Sequence, residues 1–183
     1  MKKIVAILLC LSLLGCCAAV AETAETENKV VLGTVGSYVI RCRLPEGYKV
    51  NLIESDSVSI SGALLPEQEG QPDINLSIGF NDSYTQDGKA LRMNDVSEED
   101  LAEIRESFVE NVDEAFFEER ETGLGTKVLV VKGSIGDKNF VDLYSLYNSY
   151  EVEVVAVTGS DEPAEEQIQM LIDFFTEMDF VEK

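Results

Sequence analysis

Short stretches in which apolar and polar residues strictly alternate limit what this chain can fold into more than any other feature. In SYVIRCRLP, residues 37–45, Tyr38, Ile40, Cys42 and Leu44 point one way, while Val39, Arg41 and Arg43 point the other. That rhythm belongs to a half-buried strand. Pro45 and Gly47 then make a turn, one fixing φ and the other supplying a permissive backbone. YKVNLIE (48–54) and VSISGALL (58–65) follow, the second with Val58, Ile60, Gly62 and Leu64 on one face. INLSIGF (74–80) places Ile74, Leu76, Ile78 and Phe80 inward. Val128 to Val131 is apolar on both faces, as a central strand covered on two sides would be. NFVDLYSLYNSYEVEVVAVTG (139–159) reads as two more strands joined around Asn148 and Ser149.

Two segments break this rhythm with helical spacing. Ser97 is an N-cap, with Glu98, Glu99 and Asp100 in the first turn, where the helix dipole favours negative charge. Leu101, Ile104, Phe108, Val112 and Ala115 recur every three or four residues, which predicts one helix ended by Gly123 and Gly125. Asp161-Glu162-Pro163 opens a closing helix with Pro163 in its first turn, and Ile168, Leu171, Ile172, Phe175 and Met178 form its buried stripe. PEQEGQPD (66–73) and NDSYTQDGKALRMND (81–95) are loops. The pattern predicts an α+β domain over residues 30–183: a twisted antiparallel sheet of six to seven strands packed with helices.

The N-terminus predicts export. Lys2 and Lys3 precede an apolar run from Ile4 to Leu14, which at eleven residues is too short to span a bilayer core needing about 20. Two cleavage readings compete. LLGC, Leu13 to Cys16, has the layout of a bacterial lipobox, with Cys16 as the lipidated first residue of the mature chain. Ala19-Val20-Ala21 suits ordinary signal peptidase and would release the protein. Residues 1–21 are thus the leader and residues 22–29 a small, polar tether.

Composition narrows the chemistry. The sequence carries 14 Lys+Arg against 35 Asp+Glu. Loss of Lys2 and Lys3 with the leader brings the net charge to −23 from the −21 of the whole chain. Such a surface repels phosphates, which excludes nucleic-acid binding. With no histidine in the chain, Ser-His-Asp and Cys-His nucleophiles and ordinary zinc hydrolase sites are excluded. Cys42 is the single cysteine beyond the leader region, so no disulfide forms within the domain. Its place beside Ile40 and Leu44 reads as a small buried hydrophobe. No phosphate-binding glycine loop, dinucleotide fingerprint or metal-spaced cysteine pair is present, and no cofactor is expected.

Acidic residues leave three readings open. A two-carboxylate hydrolase acting on an envelope substrate is compatible with the inventory, although no pair stands out. NDSYTQDG, Asn81 to Gly88, offers oxygen ligands for weak calcium binding but lacks EF-hand spacing. On the long predicted helix, Glu106, Glu110, Glu114 and Glu118 follow at i, i+4 with Asp113 and Glu119 alongside, a repulsion of a few tenths of a kcal/mol per pair. That ridge reads either as a docking face for a basic partner or divalent cations, or as a solvated face partnered by Lys127, Lys132 or Arg43.

Taken in order, RLPEGYKV, INLSIGF, the acidic helix, KVLVVKG, the YSLYNSYEVEVVAV hairpin and IDFFTEMDF resemble the PsbP-like family over residues 35 to 181. This family groups the extrinsic photosystem II protein P with exported bacterial relatives. Leu44-Pro45-Glu46-Gly47-Tyr48 is the best local match, with Tyr48 where the family often has Trp. The resemblance implies an antiparallel sheet between helical layers and a non-catalytic binding role. Histidines that bind metal in some members have no counterpart here, so no metal function carries over. The expectation is a lipid-anchored accessory module of a bacterial cell envelope, held to the membrane through Cys16 and acting through protein contacts.

Overall fold

The alternating stretches form strands, and their pairing follows from the turns that join them. In the computed structural model, which describes residues 29–86, 89–110 and 112–183, the order begins with β1 (Val30–Val35), β2 (Tyr38–Cys42), β3 (Tyr48–Ser55), β4 (Ser59–Pro66) and β5 (Asp73–Phe80). A small ribbon of β6 (Thr85–Gln86) and β7 (Lys89–Ala90) leads to helix α1 (Glu98–Val109). Then come β8 (Glu114–Glu121), β9 (Lys127–Ile135), β10 (Lys138–Tyr147), β11 (Tyr150–Gly159), helix α2 (Glu165–Thr176) and β12 (Asp179–Glu182). The leader, with Cys16, and the tether up to residue 28 lie outside the described residues.

Seven strands make one open antiparallel sheet in the order β3-β4-β5-β11-β10-β9-β8. A three-stranded sheet, β1-β2-β12, stands beside it. Asn148 and Ser149, both at positive φ (49° and 64°), form the two-residue turn between β10 and β11. Such a turn matches the strand twist. It fixes the register of the hairpin, with Tyr147 opposite Tyr150 and Tyr144 opposite Glu153.

The two faces of the large sheet are roofed differently. On one face Ile60, Leu64, Ile74, Ile78, Val130 and Val154 pack under α2 and the three-stranded sheet. Ile168, Leu171 and Ile172 of α2 and Ile40 and Cys42 of β2 complete this core. On the other face α1 lays Leu101, Ile104 and Phe108 over Leu129, Val131 and Tyr144. Phe108 is fully buried, edge-on to Phe117 and Tyr144 at 6.4 and 5.8 Å between ring centres. Val128 to Val131 are therefore buried on both sides, as expected of a central strand. Gly133 is required: a Cβ there would collide with the Phe140 ring and the Glu114 carbonyl of the neighbouring strand.

The first helix is shorter than its spacing predicts. Ser97 caps it as expected, accepting from Asp100 N at 3.1 Å, but it ends at Val109, and Glu114–Glu121 pairs along β9 as the sheet's edge strand. Like charges at i, i+4 disfavour a helix through Glu118, while β9 offers this Ala-Phe-Phe segment a ladder and a half-buried place for Phe117 against the core, so tertiary pairing overrides the local pattern. Gly123 and Gly125 lie in the β8–β9 turn instead. Two smaller corrections concern ends. Phe80 is 50% exposed at the tip of β5 rather than inward, near Val58, whose carbonyl accepts from its N–H at 3.0 Å. Pro163 precedes the Ala164 N-cap of α2 and so stands outside its first turn.

Candidate functional site

Cross-strand register brings together what the sequence keeps apart. On the α1 side of the sheet, one row of paired positions runs Glu119, Leu129, Tyr144, Glu153, Ser77, Ser61, Glu54 from β8 to β3. The next row runs Phe117, Val131, Asp142, Val155, Asn75, Ala63, Leu52. A third pairs Leu146, Glu151, Gly79 and Ser59. α1 packs over the β8–β10 end, where the side chains are mostly apolar. Beyond β10 the first and third rows turn to acids, serines and glycine, with Ser61 and Ser77 exposed, while the second keeps Val155, Ala63 and Leu52 half-buried.

The boundary between these halves carries a cluster of acids. Asp142 is 1% exposed and its Oδ1 has no hydrogen-bond partner. Burial, and then the Glu153 charge, hold its carboxyl well above the usual carboxylate range. Glu153, half-buried one row away, is pushed up to about 7 by burial and then by Glu151. A diagonal pair of this kind has its Cα atoms about 7–8 Å apart. Tyr144 Oη donates to Glu151 Oε1 at 2.9 Å and lies 3.3 Å from Tyr84 Oη. Burial raises both phenols, Tyr144 well above its ordinary value. The Tyr84 segment is pinned by the hairpin turn: Ser149 Oγ donates to the Tyr84 carbonyl, and Asn81 N donates to the Ser149 carbonyl at 2.9 Å. Among the described residues, no Lys or Arg pairs with Asp142, Glu151 or Glu153.

From Glu151 and Glu153 the register carries this surface, here called the trough, over Gly79, Ser77, Ser59 and Ser61 to Glu54, with Asp56 in the turn after β3. Backbone N–H groups of Val58 and Ser59 bind the Asp56 carboxylate and hold it below its usual range. At the far end, Glu54, Ser55, Asp56, Ser59 and Ser61 line a depression of about 280 Å³. Three strand spacings separate β11 from β3, about 14 Å. A larger shallow depression of about 610 Å³ lies on the opposite side of the sheet, between Arg43–Glu46 and α2, and touches none of these groups.

The acidic positions expected to form one docking face are divided by the fold. Glu106 and Glu110 are exposed on α1 and at its end, and Asp113 lies in the following loop, where it accepts from Gly136 N at 2.7 Å. Glu114 and Glu118 lie on β8, alternating with Phe117, and so project on the α2 side of the sheet. Nor is the set uncompensated. Arg105 binds Glu119 at 2.6 Å, Arg120 bridges Glu118 and Glu165, and Lys132 reaches Glu118 at 3.7 Å. The predicted helical ridge is therefore not a surface of this molecule. Cys16 lies outside the described residues.

Cys42 is fully buried and free, its thiol pushed up to about 12 by burial, with the Lys29 charge opposing. In the calcium candidate, Asn81 Oδ1 accepts from Ser83 N at 3.0 Å, a local turn, while Asp87 and Gly88 lie outside the described residues. Among the described residues, no group of three or more Cys, Asp or Glu side chains is placed to hold a metal ion. Nor, among them, is any helix long and apolar enough to cross a membrane.

Sequence reading missed the Asp142–Glu153 pair because each acid occupies an ordinary polar position in an alternating strand. A signal was present: counting outward from a two-residue turn at Asn148-Ser149 sets Glu153 opposite Tyr144 and diagonal to Asp142. Comparison of the chain with known protein families and with curated proteins finds no match in either.

Proposed function

We propose that this domain is a non-catalytic binding module of a bacterial cell envelope, exported and tethered to the membrane through a lipid on Cys16, and that it works through protein contacts. The observation that carries the reading is the half-roofed sheet. On that face β11, β5, β4 and β3 carry Glu153, Ser77, Ser61 and Glu54 in one row beyond the cover of α1, although apolar residues under a cover would have added stability. PsbP-like membership belongs to the same proposal, supported by an antiparallel sheet with a helix on each side.

The carboxyl pair is the feature that speaks for a hydrolase, and its geometry weighs against one. Retaining and inverting mechanisms both need two carboxyls at the substrate. Asp142 is sealed beneath the sheet's α1 side, so Glu153 alone of the pair is within a substrate's reach. Glu151, the other acid within reach, is held by the Tyr144 hydroxyl, and a buried acid beside an accessible one suits a recognition surface better than two-acid catalysis.

A photo-crosslinking residue at Ser61 or Ser77, in chain expressed in its native envelope, tests the reading. Adducts with a discrete protein are expected from these positions and not from Glu166 on the α2 side. Equal labelling from both sides would overturn it. The intact mass of the mature N-terminus checks the tether: a diacylglycerol-bearing chain starting at Cys16 is expected, and one starting at unmodified Glu22 would remove the membrane from the proposal.

A further inference from the structure

We infer that the trough takes an extended segment of a partner protein bearing basic residues at alternate positions, whose cationic ends seat against Glu151 and Glu153. The inference rests on the protein-binding reading above and specifies the partner's chemistry.

Four observations converge on it. First, Glu151 and Glu153 lie two residues apart on one strand, a spacing of about 7 Å, and an extended chain repeats its side chains on one face at the same interval. Second, among the described residues no cation of the protein's own neutralises them. The groups that interact with them are acids and phenols: Asp142 and Tyr144 from β10 and Tyr84 from the preceding turn. Asp100 and Glu103 of α1 add negative potential at Tyr84, and Arg105 of α1 is engaged by Glu119.

Third, Asp142 offers a buried oxygen that nothing in the described chain satisfies. An orphaned buried acceptor is costly, and a cation seated against Glu153 adds favourable potential there without reaching the buried oxygen itself. Fourth, there is room. A Cβ built at Gly79, directly across from Glu151, meets nothing within 4 Å, and its neighbours on the floor are serines. The carbon stem of an arginine or lysine fits over such a floor while its head meets the acids. A metal ion fits less well, because no three carboxylates converge. A planar guanidinium, with five donors, suits acids spread along a strand.

The test is fluorescence anisotropy with the mature soluble domain and three labelled heptapeptides. One has three arginines at alternate positions, one the same residues with the arginines consecutive, and one citrulline in place of arginine. At pH 8 the alternating peptide is expected to bind at least tenfold more tightly than either of the others. Glu153→Gln and Gly79→Val should each weaken it at least tenfold, one by removing charge and the other by filling the floor. Glu106→Gln combined with Glu110→Gln should leave it unchanged. Affinity should also fall as pH drops through about 7, and Glu153→Gln should flatten that slope.

Equal affinity for the consecutive-arginine peptide, or an equal loss from the α1 substitutions, would reduce the effect to diffuse attraction by an acidic surface and overturn the inference. Thermal melts of the variants keep the reading clean. Should Gly79→Val fail to fold, the near-isosteric Glu153→Gln still decides. If the peptides do not bind but Ser61 and Ser77 crosslinkers still capture a protein, the cationic class is wrong and the binding module stands. If neither occurs, both readings fall.

Discussion

On the α2 side of the large sheet, β4, β5, β11, β10 and β9 each present Ile, Leu or Val, and a helix and a second sheet cover them. On the α1 side the same strands present Leu129, Val131 and Tyr144 at one end but Ser77, Ser61 and Gly79 at the other. The fold thus uses one face and part of the second for stability and leaves the remainder free. Asp142 and Glu153 sit where cover gives way to solvent. Acids cost most where water is excluded, so a buried Asp142 next to a half-buried Glu153 belongs to a position under some demand other than folding.

The largest test of this contrast compares cover with floor. Phe108→Ala removes a fully buried ring from the roofed half and should cost about 3–5 kcal/mol in urea denaturation. Ser77→Ala on the open floor should stay within about 0.5 kcal/mol. A cost for Ser77→Ala approaching that of Phe108→Ala would mean that the open half is covered in solution, and the contrast would fail.

Next in size is the orphan itself. Asp142→Leu replaces an unsatisfied buried acid with an apolar side chain beside Val131 and Val155. It should stabilise the domain by about 1–3 kcal/mol at pH 7. Destabilisation of that size would show that Asp142 has a partner in solution.

Glu153 sharpens the boundary through pH. Its folded value, about 7, stands above the ordinary 4.5, so between those values the folded chain holds more protons than the unfolded one. Stability therefore falls as pH rises across that window and is fully recovered below it. Asp142, also raised, acts in the same direction. Glu153→Gln should be more stable than the unaltered protein at pH 8 by roughly 1–2 kcal/mol, after allowing for water at the half-exposed carboxyl. The difference should vanish by about pH 4. A pH-independent difference would separate Glu153 from the buried environment described for it.

How far the sequence could be read follows the same division. Strands β2, β3, β4, β5 and β11 announce themselves because one face is buried along their length and period two survives, whereas β9 and β10, buried on both faces, show as apolar runs between turns. Ser97 and the α2 stripe are legible for the same reason, with period 3.6. The misreading came at 110–121, where Val112 and Ala115 continue a helical spacing by coincidence and the deciding partner, β9, comes only after the turn that follows, as in Glu114 opposite Ser134. Strand β12 pairs with β2 across the whole length of the domain, beyond any local signal. The trough escaped for a further reason: Ser59, Ser61, Ser77 and Gly79 are individually unremarkable solvent-side residues, and only register makes them neighbours.

The smallest effect is expected at the sheet's acidic edge, where the sequence suggested a docking face. Arg120 ties Glu118 of β8 to Glu165 at the start of α2, and hydrogen bonds to Glu165 and then Glu118 hold its guanidinium protonated more firmly, with burial opposing. Glu118 and Glu165 are nonetheless exposed, so screening and side-chain entropy consume most of the attraction. Arg120→Gln should cost below about 1 kcal/mol at low ionic strength, and the cost should shrink further in 1 M salt. It should leave peptide affinity at the trough unchanged, since β8 projects these groups to the other side of the sheet. A loss of binding with Arg120→Gln, at intact stability, would reassign the partner surface to the edge strand and return Glu114 and Glu118 to the role that a continuous helix would have given them.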